Sequence, residues 1–454
     1  MRQTPRPVLL ALLVALVAAP SVTGAQDRRP CTLVFRGVSR AGVLTTAMKV
    51  FTDPDGTKRT YISGGVDATC AGQGNRLLAD SAEHYASRGE LILIDRVRYS
   101  DDQVRMTSTR MVYFTADERL LATGNVDGTT KKGVRFRGPE MTYLRPKPGV
   151  RAVASWRAPG RPVVRLADRR RPSGSAPTAD TVTVVGDVVY SENDSLVWAT
   201  GRVVISRPDL DATGDSARLD EGLGLAQLRK APRIVGTGDR AFTLVGTEVD
   251  LWSREGELER VRANGAARVD ADSLRLSGDT IDLRLAEGEM ERVYTWGGRA
   301  AADGEAQRIE ADSLDIRMPH QELEELHAVG GAVAYALPDT TAVRTDERDW
   351  IAGDTLVATF ETVPVPGDTA RKTRMRGVVA TGSARAFQQL AAKDADPATP
   401  NLSYNRGRRI TVRFEEGQVR QVDVLDRASG LYLEAAARSD TTRAPTPRPQ
   451  RRVP

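Results

Sequence analysis

Three successive segments of this chain share one spacing: GTEVDLWSREGELERVRANGAARV (246–269), GDTIDLRLAEGEMERVYTWGGRAA (278–301) and ADSLDIRMPHQELEELHAVGGAVA (311–334). Counted from Gly246, Gly278 and Ala311, a turn residue falls ten on, at Gly256, Gly288 and Gln321. A glycine falls nineteen on, at Gly265, Gly297 and Gly330. The origins lie 32 and 33 residues apart. Fainter copies begin near Gly214 and at Gly407, and GDTLVATF (353–360) with ATGSARAF (380–387) read as two halves of a copy split by an insertion. The tripeptide Ala-Thr-Gly itself recurs at Ala122, Ala199 and Ala380. A fixed period of this length marks a stacked repeat, in which each unit buries its apolar face against its neighbours.

The unit reads as strands. In DTIDLRL, Ile281, Leu283 and Leu285 share one face; in DSLDIRM, Leu314, Ile316 and Met318 do the same. Alternation with period two is the pattern of a half-buried strand. REGE, AEGE and MPHQ supply turn residues where the chain must reverse. The later glycine allows a bend before a further strand. The runs ELERVRA and ELEELHA could alternatively start amphipathic helices, but the glycine spacing leaves little room for one. Segments 76–100, 104–126 and 134–146 alternate in the same way and read as degenerate copies. The expected organisation is an N-terminal β segment over 31–166, an exposed connection over 167–181, clear repeats over 182–435 and a disordered Pro/Arg-rich tail over 436–454. One strand spacing of ~4.8 Å per unit would make about ten units roughly 50 Å long.

The first residues look like an export signal, with an uncleaved anchor as the rival reading: basic Arg2 and Arg6, the apolar run Val8–Ala19, then small residues up to Ala25. Cleavage after Ala25 would lower Lys+Arg from 65 to 63 against 60 Asp+Glu, a net +3. That near-balance gives no basis for a nucleic-acid partner. Only 5% of residues are aromatic, while 40 are Gly and 24 are Pro, which suits short strands and turns better than a large aromatic core. The two cysteines, Cys31 and Cys70, read as a disulfide in an exported chain. A lipidated Cys31 is the alternative, and the preceding Arg-Arg-Pro argues against it.

Little here points to catalysis. The three histidines, His84, His320 and His327, have no Cys or further His at metal-ligand spacing. Asp215, Asp279, Asp312 and Asp354 recur near the starts of units, as a turn-capping side chain would. No P-loop, GxSxG or nucleophile–His arrangement is present. The expectation is a protein that is not an enzyme and needs neither metal nor cofactor.

The run A-D-S-L-x-[LI] … E-G-x-[LM]-x-x-[VL]-x-A-x-G-x-[VA], together with ATGNV, resembles the periplasmic β-jellyroll family of organic-solvent-tolerance and lipopolysaccharide-transport proteins. The resemblance covers roughly residues 60–435 and is clearest over 209–336. It implies an all-β, open twisted jellyroll of ~32-residue antiparallel repeats, in one continuous body or two consecutive segments. It also implies a lipid A-binding trough and edge-to-edge pairing with inner- and outer-membrane components of such a system. The function expected on this basis is a periplasmic bridge for lipopolysaccharide or a related glycolipid, contributing to outer-membrane assembly, with association with that membrane as a further expectation.

On that reading the inward apolar residues Phe242, Leu244, Val249, Leu251, Ile281, Leu283, Leu314, Ile316, Val333, Tyr335, Leu356 and Phe360 would line the trough. Val419, Val422 and Val424 would form a C-terminal edge strand open to a partner. The competing readings are a filled core without a guest, and a non-catalytic β-repeat scaffold that binds proteins by strand addition.

Overall fold

The computed structural model describes residues 31–166, 182–236, 242–271, 274–287, 289–304, 307–336, 343–364, 371–391, 397–415 and 418–435. The expected export signal, connection 167–181 and tail 436–454 lie outside them. Among the described residues there is no α-helix, and the runs considered as helices belong to the strands Glu257–Ala271 and Glu325–Ala336, the second starting inside its run. All pairings are antiparallel, and one 30-stranded sheet holds every strand except the small hairpin Ser39–Arg40/Val43–Leu44.

What builds this sheet is a repeated sharp corner. Leu196–Ser206 pairs with Leu210–Asp220, but the register breaks between Thr200 and Val203. At the break Gly201 and Arg202 both have positive φ, 75° and 47°. The same left-handed pair stands at Gly124–Asn125, Gly265–Ala266, Gly297–Gly298, Gly330–Gly331 and Gly382–Ser383. Two such residues in succession turn a strand and add length without a partner, as a bulge does. The recurring Ala-Thr-Gly is this corner. Its alanine (Ala122, Ala199, Ala380) is fully buried at the crease, and Val126, Val203 and Ala384 resume the inward face four residues on.

Each strand therefore forms a bent rung with two arms. The arms face each other: Phe136 meets Trp156 from the opposite arm at 5.8 Å between ring centres, and Tyr99 meets Tyr143 at 6.1 Å. Inward apolar residues of both arms merge into one core running from Cys31 to Val412. Some rungs are broken at the corner. Arg135–Leu144 pairs with both Ser155–Pro159 and Val163–Arg165, and Leu196–Ser206 with both Val188–Glu192 and Thr183–Val185. Those two broken rungs also pair with each other, so the six strands close into a ring. The pairs Val163–Val185 and Ala158–Val189 carry the sheet without a break from the N-terminal part into the repeats.

Left-handed corners alternate with a second kind, carried by Gly246–Thr247, Gly278–Asp279, Ala311–Asp312 and Gly353–Asp354. A repeat thus supplies two rungs, not one. It advances the stack by about 9.6 Å, twice the spacing first assigned to it. The recurrent aspartates are explained by the same alternation. The side chains of Asp279, Asp312 and Asp354 pack against Gly297, Gly330 and Gly382 at the corner of the following rung. Their role lies between rungs and not in capping their own turn, while Asp215 pairs with Lys230 at 3.4 Å.

Among the described residues, both ends of the stack carry a strand edge without a partner. Leu33–Arg36 and Ala47–Thr52 pair only inward, with Val66–Cys70 and Lys58–Ser63. Gln418–Leu425 and Ser429–Leu433 pair only with Asn401–Glu415. Large apolar side chains are exposed at both: Met48, Val50 and Phe51 at one end, Leu425, Leu431 and Leu433 at the other.

Candidate functional site: a lateral opening between two lips

The corners close one long side of the stack. On the other side the arm tips form two lips, joined by turns within each lip. Near the N-terminal end the lips are tied shut. Arg145, from one lip, donates from Nε to Asp101 at 3.0 Å and from Nη1 to the Gln73 side chain at 2.8 Å, both on the other lip. Glu118 lies 3.5 Å from the same guanidinium. Asp101 also accepts from the Tyr99 and Tyr143 hydroxyls, at 2.9 and 3.2 Å. Arg145, Asp101 and Glu118 all have side chains less than 5% exposed. Burial opposes the Arg145 charge, but Tyr99, Tyr113, Asp101 and Glu118 more than offset this and its pKa is raised. Burial likewise pushes the Tyr143 hydroxyl far above its usual range. A buried ion network satisfied on every side holds its geometry firmly.

Past this closure the lips part around a cavity of about 1370 Å³. One wall carries Val134, Leu166, Val182 and Leu210; the other carries Leu219, Leu225, Leu251 and Leu258, and Leu228 also lines the space. Two straps cross it. Lys132 donates to the Asn193 carbonyl at 2.5 Å. Arg207 reaches over to the Ser253 hydroxyl at 2.9 Å and the Gly256 carbonyl at 3.1 Å. Its walls are apolar and its rim is charged, and a space of this size can admit a flexible apolar guest.

Most of the residues expected to line a trough lie deeper. Leu244, Val249, Ile281, Leu283, Leu314, Ile316 and Leu356 are buried in the core, and Phe242 and Phe360 pack against it half-buried. Of the twelve, only Leu251 borders the cavity. Val333 and Tyr335 fall on the other face. Ala332 and Ala334 point inward instead, because the Gly330–Gly331 corner resets which residues face the core. Tyr335 is in register with Trp350, Trp350 with Phe387, and Phe387 with Tyr404, an aromatic row outside the core. Val134, Leu210, Leu219 and Leu258 went unnoticed because they sit near rung ends beside turns. Mid-strand alternation does not distinguish such positions from core.

Cys31 and Cys70 are joined, with Cα atoms 5.0 Å apart, which ties the first described residue to the strand Val66–Cys70. Val422 and Val424 are half-buried against the core, and Val419 is 39% exposed. His84 packs on Phe35 at 5.5 Å, and burial lowers its pKa. His320 lies near Glu289 and His327 against Glu325. No group of three or more His, Cys, Asp or Glu among the described residues could hold a metal. No family model matches the sequence, and no curated protein matches it.

Proposed function

We propose that the protein is a lipid-carrying bridge: an exported β-jellyroll of the lipopolysaccharide-transport kind that shelters acyl chains of a glycolipid between its two layers. The observation that carries this reading is the apolar cavity of about 1370 Å³ open along one side of a stacked sheet. Each CH₂ moved from water into such a space gains about 0.8 kcal/mol, so a shared wall suffices and no single residue need be specific. The proposed periplasmic location rests on the export signal read in the sequence, and the proposed outer-membrane association on the resemblance to the lipopolysaccharide-transport family. The test is mass spectrometry of lipid co-purified with the protein from its native envelope, joined to photo-crosslinking from Leu258 in the wall and Leu283 in the core. Crosslinks to glycolipid from Leu258 and not from Leu283 are expected; crosslinks to protein alone at both would remove the reading.

A second reading is favoured by the open ends. Strands with one edge unpaired among the described residues, carrying exposed Val50 and Phe51 at one end and Leu431 and Leu433 at the other, suit strand addition by a partner of similar architecture. Such a scaffold need hold no lipid. The two readings are compatible, since a bridge requires contacts at its ends.

A further inference from the structure

The end rung beside Cys31 carries a feature that stacking alone does not need. Between Leu33–Arg36 and Ala47–Thr52 the chain leaves the main sheet and forms its own two-stranded hairpin, Ser39–Arg40 with Val43–Leu44. Its turn is Ala41–Gly42, both at positive φ, 48° and 79°, as a tight two-residue reversal requires. Its base is fastened. The Val38 amide donates to the Thr46 hydroxyl at 2.8 Å, and the Thr45 and Thr46 hydroxyls donate to the Gly64 and Gly65 carbonyls at 2.6 and 2.9 Å. The hairpin is thus held in place while Val43 and Leu44 stay 66% and 63% exposed.

The strand that follows is just as bare. All six residues of Ala47–Thr52 are exposed. Met48 and Val50 stand opposite Ile62 and Thr60, and Phe51 opposite Arg59, so exposed apolar side chains occupy both faces of the strand. Each face also carries a lysine: Lys58 shares the face of Met48 and Val50, and Lys49 that of Phe51. Both lysines are exposed, and neither ammonium has a partner among the described residues. The carboxylates of the connecting turn are taken, Asp53 lying 3.7 Å from Arg59 and Asp55 3.5 Å from Arg88. Strand addition would cover the free edge of Ala47–Thr52 and leave its faces and the hairpin in water. A phospholipid interface takes all of them together, burying apolar side chains to a shallow depth while anionic headgroups meet the cations among them. Among the described residues, the opposite end exposes Leu431 and Leu433 with no hairpin standing off the sheet.

We infer that the hairpin and strand dock this end of the protein on an anionic phospholipid bilayer, with Val43, Leu44, Val50 and Phe51 in the interface and Lys49 and Lys58 at the headgroups. The inference goes beyond the carrier reading and stands without it.

The experiment floats the full mature chain, from Gln26 on, with vesicles of phosphatidylcholine alone or with one phosphatidylglycerol in four. Flotation with the anionic vesicles is expected, weakening toward the neutral level at ~0.5 M salt. Lys49→Gln with Lys58→Gln should lower partitioning at low salt about 25-fold, at about fivefold per charge. Val43→Ser, Leu44→Ser and Val50→Ser, combined, should abolish flotation at every salt concentration. Without any substitution, hydrogen exchange on the anionic vesicles should slow over 39–52 and not over 429–433. A chain that only takes one lipid into its lateral opening stays in solution, so this result is separate from the test of the carrier reading. No flotation, equal flotation with neutral vesicles, flotation unchanged in both variants, or slowing at 429–433 in place of 39–52 overturns the inference. So does a dimer in sedimentation equilibrium that the serine variant abolishes, since this face would then join two copies of the chain.

Discussion

The carboxylate of Asp354 occupies the space that a side chain on Gly382 would fill, one rung further along the stack. Gly382 also has φ near +78°, so a side chain there is disfavoured twice, by its own backbone and by its neighbour. Gly382→Ala should cost about 2 kcal/mol. Adding Asp354→Ala should recover only the overlap and not the backbone strain. Hydrogen exchange resolved by peptide is the right measurement, because rungs in a stack can open locally. Protection lost evenly over the whole chain would contradict a corner-by-corner architecture.

The Cys31–Cys70 bond closes a separation of 39 residues at one end of the stack. Breaking it with Cys31→Ala should remove roughly 4 kcal/mol of chain constraint on the entropy argument. The loss should appear as faster exchange in 47–85, with 325–415 unaffected.

Arg145→Met would leave Asp101 and Glu118 buried without their shared cation. A loss of about 3–5 kcal/mol is expected at this closure. Replacing Glu118 by Met in the same chain should recover part of it, whereas Asp101 must stay, because the Gln103 and Val104 amides and the Tyr99 and Tyr143 hydroxyls also donate to it. Denaturant unfolding followed by tyrosine fluorescence would report both, since Tyr99 and Tyr143 contact the cluster.

His84 should make the N-terminal rungs sensitive to acid. Burial against Phe35 lowers its pKa, so the unfolded chain takes up the proton first. Its neutral-state contribution is complete above the unfolded value near 6.5, and is lost as pH falls below that toward the depressed folded value. Stability of this end should therefore drop on going from about pH 7 to pH 5, and His84→Phe should flatten that slope. An unchanged slope in the variant would place the sensitivity elsewhere.

At the other end, Val422 and Val424 pair with Val412 and Ile410, and among the described residues their outer side has no strand partner. If partners add to this strand, Val422→Pro or Val424→Pro should abolish association and leave the rungs before Asn401 folded. Co-purification of unchanged partners would show that this edge is not used.

Much of the architecture was readable from sequence for one reason: a strand exposed on one face must alternate, and Ile281/Leu283 and Leu314/Ile316 do so plainly. The turns after Ser253 and Ala286 were equally visible. The corner was legible only by half. Gly201 and Gly382 advertise a bend, but their partners Arg202 and Ser383 adopt the same left-handed conformation with nothing in their chemistry to announce it. At the corner before Val333 both members, Gly330 and Gly331, are glycines, and the doubled bend there turns Ala332 and Ala334 inward in place of Val333 and Tyr335. The cavity was illegible, because it forms where Val134 and Leu258 come together across the lips, and no local pattern links positions so far apart.

The alternation of two corner types has a consequence for how such a chain can change length. Removing one rung would set two left-handed corners side by side, with no aspartate or threonine to fill the crease between them. Removing two restores the alternation and the direction of the chain. The molecule's span is thus a counted quantity, adjustable in steps of about 9.6 Å and not continuously. A gene that gains or loses one roughly 32-residue repeat moves the two open ends by one such step, and the lips between them keep their register.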